Sequence, residues 1–166
     1  QTQLDPAKER WGARHYHELY NMGHLMTGDA RYADVMEQVI YNSGLSPIDL
    51  AGTHFCYTNP LRWHGADHDA MSHDTPARWE THDCYCCPPQ VARTLARMHR
   101  WAYSHTEDGL WVHLYGGSRL ATELKGAPLA LEQTTTYPWD SEITLTLDAT
   151  PNEPWTLHLR IPSWAR

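Results

Sequence analysis

Cys84, Cys86 and Cys87 fall within four residues, and Pro88-Pro89 follow at once. A cysteine acts as nucleophile or metal ligand in its thiolate form. Proline is tolerated in the first turn of a helix, so the pair marks a helix start directly after the thiols. The N-terminus of a helix carries roughly +0.5 charge and free N–H groups, which lowers a nearby thiol pKa below its free value of about 8.5. Adjacent cysteines pair poorly with each other in a disulfide. Both can reach one metal ion, however, and Zn2+ accepts thiolate ligands. Three roles stay open for these sulfurs: a small structural zinc knot, a nucleophile open to a substrate carbon, or buried inert thiols. Thiol–disulfide exchange fits less well, because redox pairs favour Cys-x-x-Cys. His54, Cys56, His82 and Asp83 are near enough in sequence to complete a ligand set.

The elements that position this run are readable on both sides. Thr27-Gly28-Asp29 has the form of a turn leading into a helix, and Tyr32, Val35, Met36, Val39 and Ile40 follow at helical spacing. Asn42-Ser43-Gly44 and Pro47 are expected to stop that helix. Residues 50 to 87 have no helical period and hold five histidines, His54, His64, His68, His73 and His82. Irregular segments of that length are uncommon in a compact domain unless functional or mobile, so a site is expected there. A second helix should open at Pro88-Pro89, with Val91, Leu95, Met98 and Ala102 on its buried face. After Asp108-Gly109 the period becomes two. Leu110, Val112 and Leu114, then Ile143, Leu145 and Leu147, then Trp155, Leu157, Leu159 and Ile161 read as half-buried antiparallel strands. Helices before strands make the chain α+β, with a helical region at 1–108 and a β region at 109–166.

Composition narrows the function classes. The chain has 166 residues, a hydrophobic fraction of 41% and a charged fraction of 20%, which excludes intrinsic disorder. A net charge of −7 argues against a nucleic-acid or anionic-membrane partner. No apolar stretch approaches the ~20 residues of a membrane helix. Eight Trp and nine Tyr stand against one Phe, beside twelve His. Side chains with an apolar body and a polar handle suit a wet, aromatic-lined sugar cleft, or equally a core or an interface. Homo-oligomerisation stays open on this reading. Clustered reduced cysteines, with no signal-peptide pattern in view, point to a reducing, cytoplasmic compartment.

Several ordered blocks resemble glycoside hydrolase family 127, the β-L-arabinofuranosidase family. Thr27-Gly28-Asp29-Ala30-Arg31-Tyr32-Ala33-Asp34-Val35 with Tyr41-Asn42 resembles a helix of its barrel. Phe55-Cys56-Tyr57-Thr58-Asn59-Pro60-Leu61 resembles its Phe-Phe-Tyr-x-Asn-Pro-Leu segment, with Cys56 in place of an aromatic residue. Cys84-Tyr85-Cys86-Cys87-Pro88-Pro89 resembles its Cys-x-Cys-Cys-Pro-Pro signature, the most specific of the blocks. Leu114-Tyr115 and Leu159-Arg160-Ile161-Pro162-Ser163-Trp164 resemble parts of its β-sandwich.

The resemblance implies a fragment of an (α/α)6 barrel followed by part of an antiparallel β-sandwich. It implies a retaining glycosidase acting on arabinose-containing oligosaccharides or glycoconjugates. By motif, Cys86 is the nucleophile and a Zn2+ ligand, Cys87 a second thiolate ligand, Cys84 a neighbour of the sugar, and Tyr57 a sugar contact. His17, in His17-Glu18-Leu19-Tyr20-Asn21-Met22-Gly23-His24-Leu25, matches an earlier barrel block and is a further sugar contact. In the family a long stretch separates that block from the Thr-Gly-Asp helix, and it holds Glu-x-Cys zinc ligands and the acid/base glutamate. Here the two blocks abut, so the chain is expected to be partial or internally shortened. A non-catalytic, zinc-organised or carbohydrate-binding piece is the alternative reading.

Overall fold

A computed structural model of the chain describes residues 27–55, 78–80 and 87–165. Contacts divide the chain into two compact units, Gln1–Arg97 and Met98–Arg166.

In the first unit, α1 spans Ala30–Val39. Asp29 caps it in extended backbone, its side chain accepting the Arg31 N–H at 2.9 Å. That bond satisfies one of the donors a helix start leaves without an intrahelical partner. Gly28, at φ +67°, supplies the left-handed turn ahead of the cap. Ala33, Met36, Glu37 and Ile40 are buried, a run at i, i+3, i+4 and i+7; of the expected stripe only Met36 and Ile40 are buried, while Tyr32, Val35 and Val39 are half-buried, so the inward face is turned toward Ala33 and Glu37. The helix does not simply stop at Asn42. It widens into a π-turn over Ile40–Gly44, closed by the Leu45 N–H donating to the Ile40 carbonyl at 2.9 Å. Such insertions are rare and cluster at functional sites.

Helix α2 spans Cys87–Arg97, so the proline pair does lie in its first turn. Its buried face differs from expectation: Leu95 is exposed and Thr94 is buried. Thr94 can be buried because its hydroxyl donates to the Gln90 carbonyl at 2.9 Å, one turn back. The helix also breaks at Met98, and the short α3, His99–Ala102, follows in the second unit. The break shifts the helical phase, so Trp101 is the buried residue of α3 rather than Ala102.

The second unit is a pair of three-stranded sheets. One has the order β1 (Tyr103–His105), β2 (Gly109–Val112), β6 (Thr156–Leu159). The other has the order β3 (Ser118–Leu124), β4 (Ala127–Thr134), β5 (Thr144–Ala149). Leu110 of the first sheet and Leu124, Leu129 and Leu131 of the second form the buried core, joined by Tyr103, Leu120, Leu145, Trp155 and Leu157. Alternation along β4 makes this possible, since Leu129, Leu131 and Gln133 share one buried face. A donor relay ties the sheets through their polar end. The Gln133 amide donates to the Tyr103 hydroxyl at 2.5 Å, and Tyr103 and Ser118 hydroxyls lie 2.8 Å apart.

The expected antiparallel pairing of all strands needs correction. β2 and β6 run parallel, in the register Gly109↔Thr156 to Val112↔Leu159. Period-two alternation is the same in both senses, so the pattern does not distinguish them. β1, β3 and β4 were also not among the strands read from the sequence. The β3–β4 hairpin turns on Lys125-Gly126, both at positive φ, as a two-residue hairpin turn requires. Arg119 and Glu132 face each other across it and form an ion pair at 3.0 Å. Among the described residues, no helix is long and apolar enough to cross a membrane.

Trp111 and His158 stack across the parallel pair, ring centroids 4.1 Å apart and ring planes nearly parallel, at 7°. A Cβ at Gly109 would lie 3.1 Å from the Trp111 ring and 3.3 Å from the His158 ring. Gly109→Ala is therefore expected to destabilise the β unit by about 1–3 kcal/mol through overpacking. Gly116→Ala, where an added Cβ meets nothing within 4 Å, serves as the comparison in chemical denaturation.

Candidate active site

The cysteine run meets the described structure at one point, the start of α2. Cys87 is the first helical residue, so Pro88 and Pro89 occupy the second and third helical positions. Neither carries an N–H. Of the first four helical residues, only Cys87 and Gln90 bring a main-chain donor to the helix start. The N–H stabilisation expected for a thiolate at this terminus is thus halved in donor number. A side chain just ahead of a helix ordinarily accepts from the second or third helical N–H. For Cys86, immediately ahead of Cys87, neither donor exists. Negative charge on these sulfurs calls for a counter-charge from another source, and thiolates are good ligands for a divalent zinc ion. The donor chemistry fits Zn2+ at Cys86 and Cys87.

Cys86, Cys84, Tyr57 and His17 lie outside the described residues, as do Cys56, His82 and Asp83. Cys87 is described only as the first residue of α2. The arrangement of the sequence-derived site residues therefore lies outside the described residues. Among the described residues, no three His, Cys, Asp or Glu side chains are placed to hold a metal ion.

What the structure does add is the frame of the histidine-rich segment. Phe55 and Trp79 pair through two main-chain hydrogen bonds, at 3.0 and 2.9 Å. Ile48 pairs with Phe55 on its other side. Phe55 and the Arg78–Trp79 stretch, described residues far apart in the sequence, are thus joined. Arg78, next to the clamp, donates from Nη2 to the Ser46 carbonyl at 2.7 Å, just after the π-turn. Helix α2 also packs against that π-turn. The clamp, the π-turn and the helix behind the thiols therefore belong to one neighbourhood.

The strand into Phe55 is held by a tight loop at Asp49. Its carboxylate accepts the Thr53 N–H at 2.8 Å and the His54 N–H at 3.0 Å, and Gly52 makes the turn at φ +72°. His54 Nδ1 lies 2.8 Å from the Thr53 hydroxyl and 3.3 Å from Asp49 Oδ2. With Nδ1 so occupied, any ligand role for His54 falls to Nε2, an orientation common among metal-bound histidines. Sequence reading missed both the loop and the clamp. Asp49 with Gly52 three residues on was an available signal for the loop. The Phe55–Trp79 pairing is non-local and had none.

Two family models match the chain. The β-L-arabinofuranosidase GH127 catalytic domain matches residues 24–100, and the GH127 middle domain matches residues 109–166. The non-reducing end β-L-arabinofuranosidase of Bifidobacterium longum subsp. longum is 31% identical over 140 residues, covering 81% of this chain and 21% of that protein. A solved glycoside hydrolase superposes with a TM-score of 0.81 at 38% identity, over 90% of this chain and 25% of that one. A GH127 β-L-arabinofuranosidase from Geobacillus stearothermophilus gives 0.77 at 38% identity, over 91% and 24%. A GH127 β-arabinofuranosidase gives 0.81 at 31% identity, over 93% and 23%. The chain thus spans between a fifth and a quarter of the length of these relatives.

The Asp49 carboxyl is held below the ordinary carboxylate range, chiefly by the His54 N–H. A carboxyl depressed in the folded state stabilises it above the unfolded pKa of about 3.9 and loses that contribution as pH falls through the folded value. The Asp49 loop should therefore stay closed at neutral pH and loosen only in acid. NMR titration of the Asp49 carboxyl carbon is expected to give a midpoint below about 3.9. Asp49→Asn, which keeps the shape and removes the charge, should abolish that acid dependence.

Proposed function

Because this chain belongs to glycoside hydrolase family 127, we propose that it is the part of a retaining β-L-arabinofuranosidase that supplies the nucleophile, Cys86. The observation that supports the reading most is the Cys84-x-Cys86-Cys87-Pro88-Pro89 run at the start of α2, inside the match to the catalytic-domain model. On this reading the helical unit is a segment of an (α/α)6 barrel, and the paired sheets are part of its β-sandwich. The substrate class is an arabinofuranose-containing oligosaccharide or glycoconjugate, as the names of the relatives suggest.

Retention needs two displacements at the anomeric carbon. In the first, the Cys86 sulfur forms a C–S bond as the glycosidic C–O bond breaks. The departing oxygen takes a proton from a carboxylic acid, which in this family is a glutamate outside the matched blocks. In the second, water gives up a proton to that carboxylate and attacks the same carbon. The C–S bond breaks, and its electron pair returns to sulfur. A C–S bond is stable, so the second step requires a sulfur that leaves readily. Zn2+ held by Cys86 and Cys87 would keep both thiols deprotonated and lower the cost of expelling thiolate. Cys84 would lie beside the sugar, and Tyr57 and His17 would contact it. Pro88 and Pro89 contribute by omission. With no N–H at the second and third helical positions, they would offer the Cys86 sulfur neither of the usual capping bonds, which would blunt a nucleophile.

Release of nitrophenol from p-nitrophenyl β-L-arabinofuranoside by the intact protein tests the assignment. Cys86→Ser should lower kcat by at least about 1,000-fold, because an alcohol is far less acidic than a thiol. Chelation should remove activity, and Zn2+ should restore it. Full turnover by Cys86→Ser, or by metal-free protein, would sink the reading.

A further inference from the structure

Trp139 is 90% exposed, and Trp164 is 64% exposed. Both belong to the β unit, and neither is in its buried core. The loop between β4 and β5 holds Trp139 in a fixed frame. The Thr135 hydroxyl donates to the Glu142 carbonyl at 2.6 Å and accepts the Tyr137 N–H at 3.0 Å. The Trp139 N–H donates to the Thr136 carbonyl at 3.0 Å, and the Asp140 carboxylate accepts the Glu142 N–H at 3.2 Å. The main chain that displays the indole is thus already ordered before binding, so little loop-ordering entropy remains to be lost.

The loop is also anchored to an aromatic row. Tyr137 stacks near Trp164, with centroids 6.2 Å apart and planes 18° apart, and meets Tyr115 edge-on at 6.2 Å. The Arg160 guanidinium lies 5.7 Å from the Tyr115 ring centre, and the Tyr115 hydroxyl donates to the Arg160 carbonyl. Arg160 Nε donates in turn to the His113 carbonyl at 2.5 Å. The row is therefore built into the sheet through buried His113 and Arg160.

The chemistry around Trp139 selects among ligands. Asp140, Ser141 and Glu142 follow it, all exposed. Two carboxylates beside the indole repel nucleic acid and anionic lipid. They are hydrogen-bond acceptors for hydroxyl groups, as Ser141 is donor and acceptor. An electron-rich ring face bordered by such groups matches a neutral sugar, which offers C–H bonds on one face and hydroxyls at its edge.

We propose that Trp139, supported by the Tyr137–Trp164 pair, is a stacking platform for a neutral sugar ring of an arabinose-containing oligosaccharide. The glycan class rests on the function proposed above; the platform itself rests on the β unit. Its role is to hold glycan, with no bond made or broken there.

Calorimetric titration of the intact protein with an arabino-oligosaccharide, using Cys86→Ser as background to prevent turnover, tests this. Trp139→Ala should bind about tenfold more weakly, the order expected for losing one aromatic contact face. Trp139→Phe, which keeps a ring, should stay within about twofold of the parent. In protein with 15N-labelled tryptophan, the oligosaccharide should shift the Trp139 indole resonance, identified by its disappearance in Trp139→Phe. That measurement decides the matter even if Trp139→Ala does not fold. Unchanged affinity in Trp139→Ala, or an unshifted indole resonance, would overturn the platform. So would a lowered melting temperature with glycan affinity intact, since the indole would then be packing against protein. Hydrolysis of the nitrophenyl glycoside with Trp139-independent glycan binding sinks this proposal alone. Trp139-dependent binding without hydrolysis sinks only the catalytic one.

Discussion

Three sulfurs within four residues create an electrostatic condition that the rest of this chain has to meet. Thiolates so close repel one another, and each favours its protonated form unless positive charge is near. A helix start provides some, but two prolines in the first turn of α2 withhold half of the main-chain donors. The remainder must come from a cation or from groups brought in by other segments. The same withholding has a chemical benefit. A sulfur tied into an N-cap bond is a poorer nucleophile than one left unbonded, so the prolines that start the helix also keep its leading side chain available.

The surroundings of α2 serve that condition by fixing backbone rather than by contributing charge. The Asp49 loop, the Phe55–Trp79 clamp and the Arg78 bond to Ser46 tie two stretches, 46–55 and 78–79, together beside the π-turn at the end of α1. Each link satisfies main-chain or carboxylate groups within the first unit.

Legibility in the sequence followed the range of the interactions. The turn into α1 at Asp29 and the proline-led start of α2 are encoded within a few residues and were readable; the α1 stripe was readable as a period, but its buried face is turned from the expected one toward Ala33 and Glu37. The cysteine run and its chemistry were readable for the same reason. The β3–β4 hairpin was passed over because Ala, Thr and Pro at alternate positions dilute its period, and Lys-Gly is a weaker hairpin signal than Asn-Gly. Leu95 was misplaced because hydrophobicity was taken as the mark of the inward face, whereas Thr94 turns inward with its hydroxyl bonded to the Gln90 carbonyl. The parallel β2–β6 pairing and the Phe55–Trp79 clamp join residues with no local relation, and alternation alone is silent about partners. Family likeness, by contrast, was carried by short blocks whose order survives even in a chain covering a quarter of its relatives.

The parallel pairing of β2 with β6 has a consequence for the order of events during biosynthesis. β3, β4 and β5 follow one another as neighbours and can assemble as soon as they emerge. β2 is made before all of them, yet one of its flanks waits for the last strand of the unit. Pairings between distant segments pay a large chain-closure penalty and form late. Until Thr156–Leu159 leaves the ribosome, β2 offers an open, largely apolar edge, the kind that invites mispairing between nascent chains. The longer β2 stands without β6 beside it, the greater that exposure becomes.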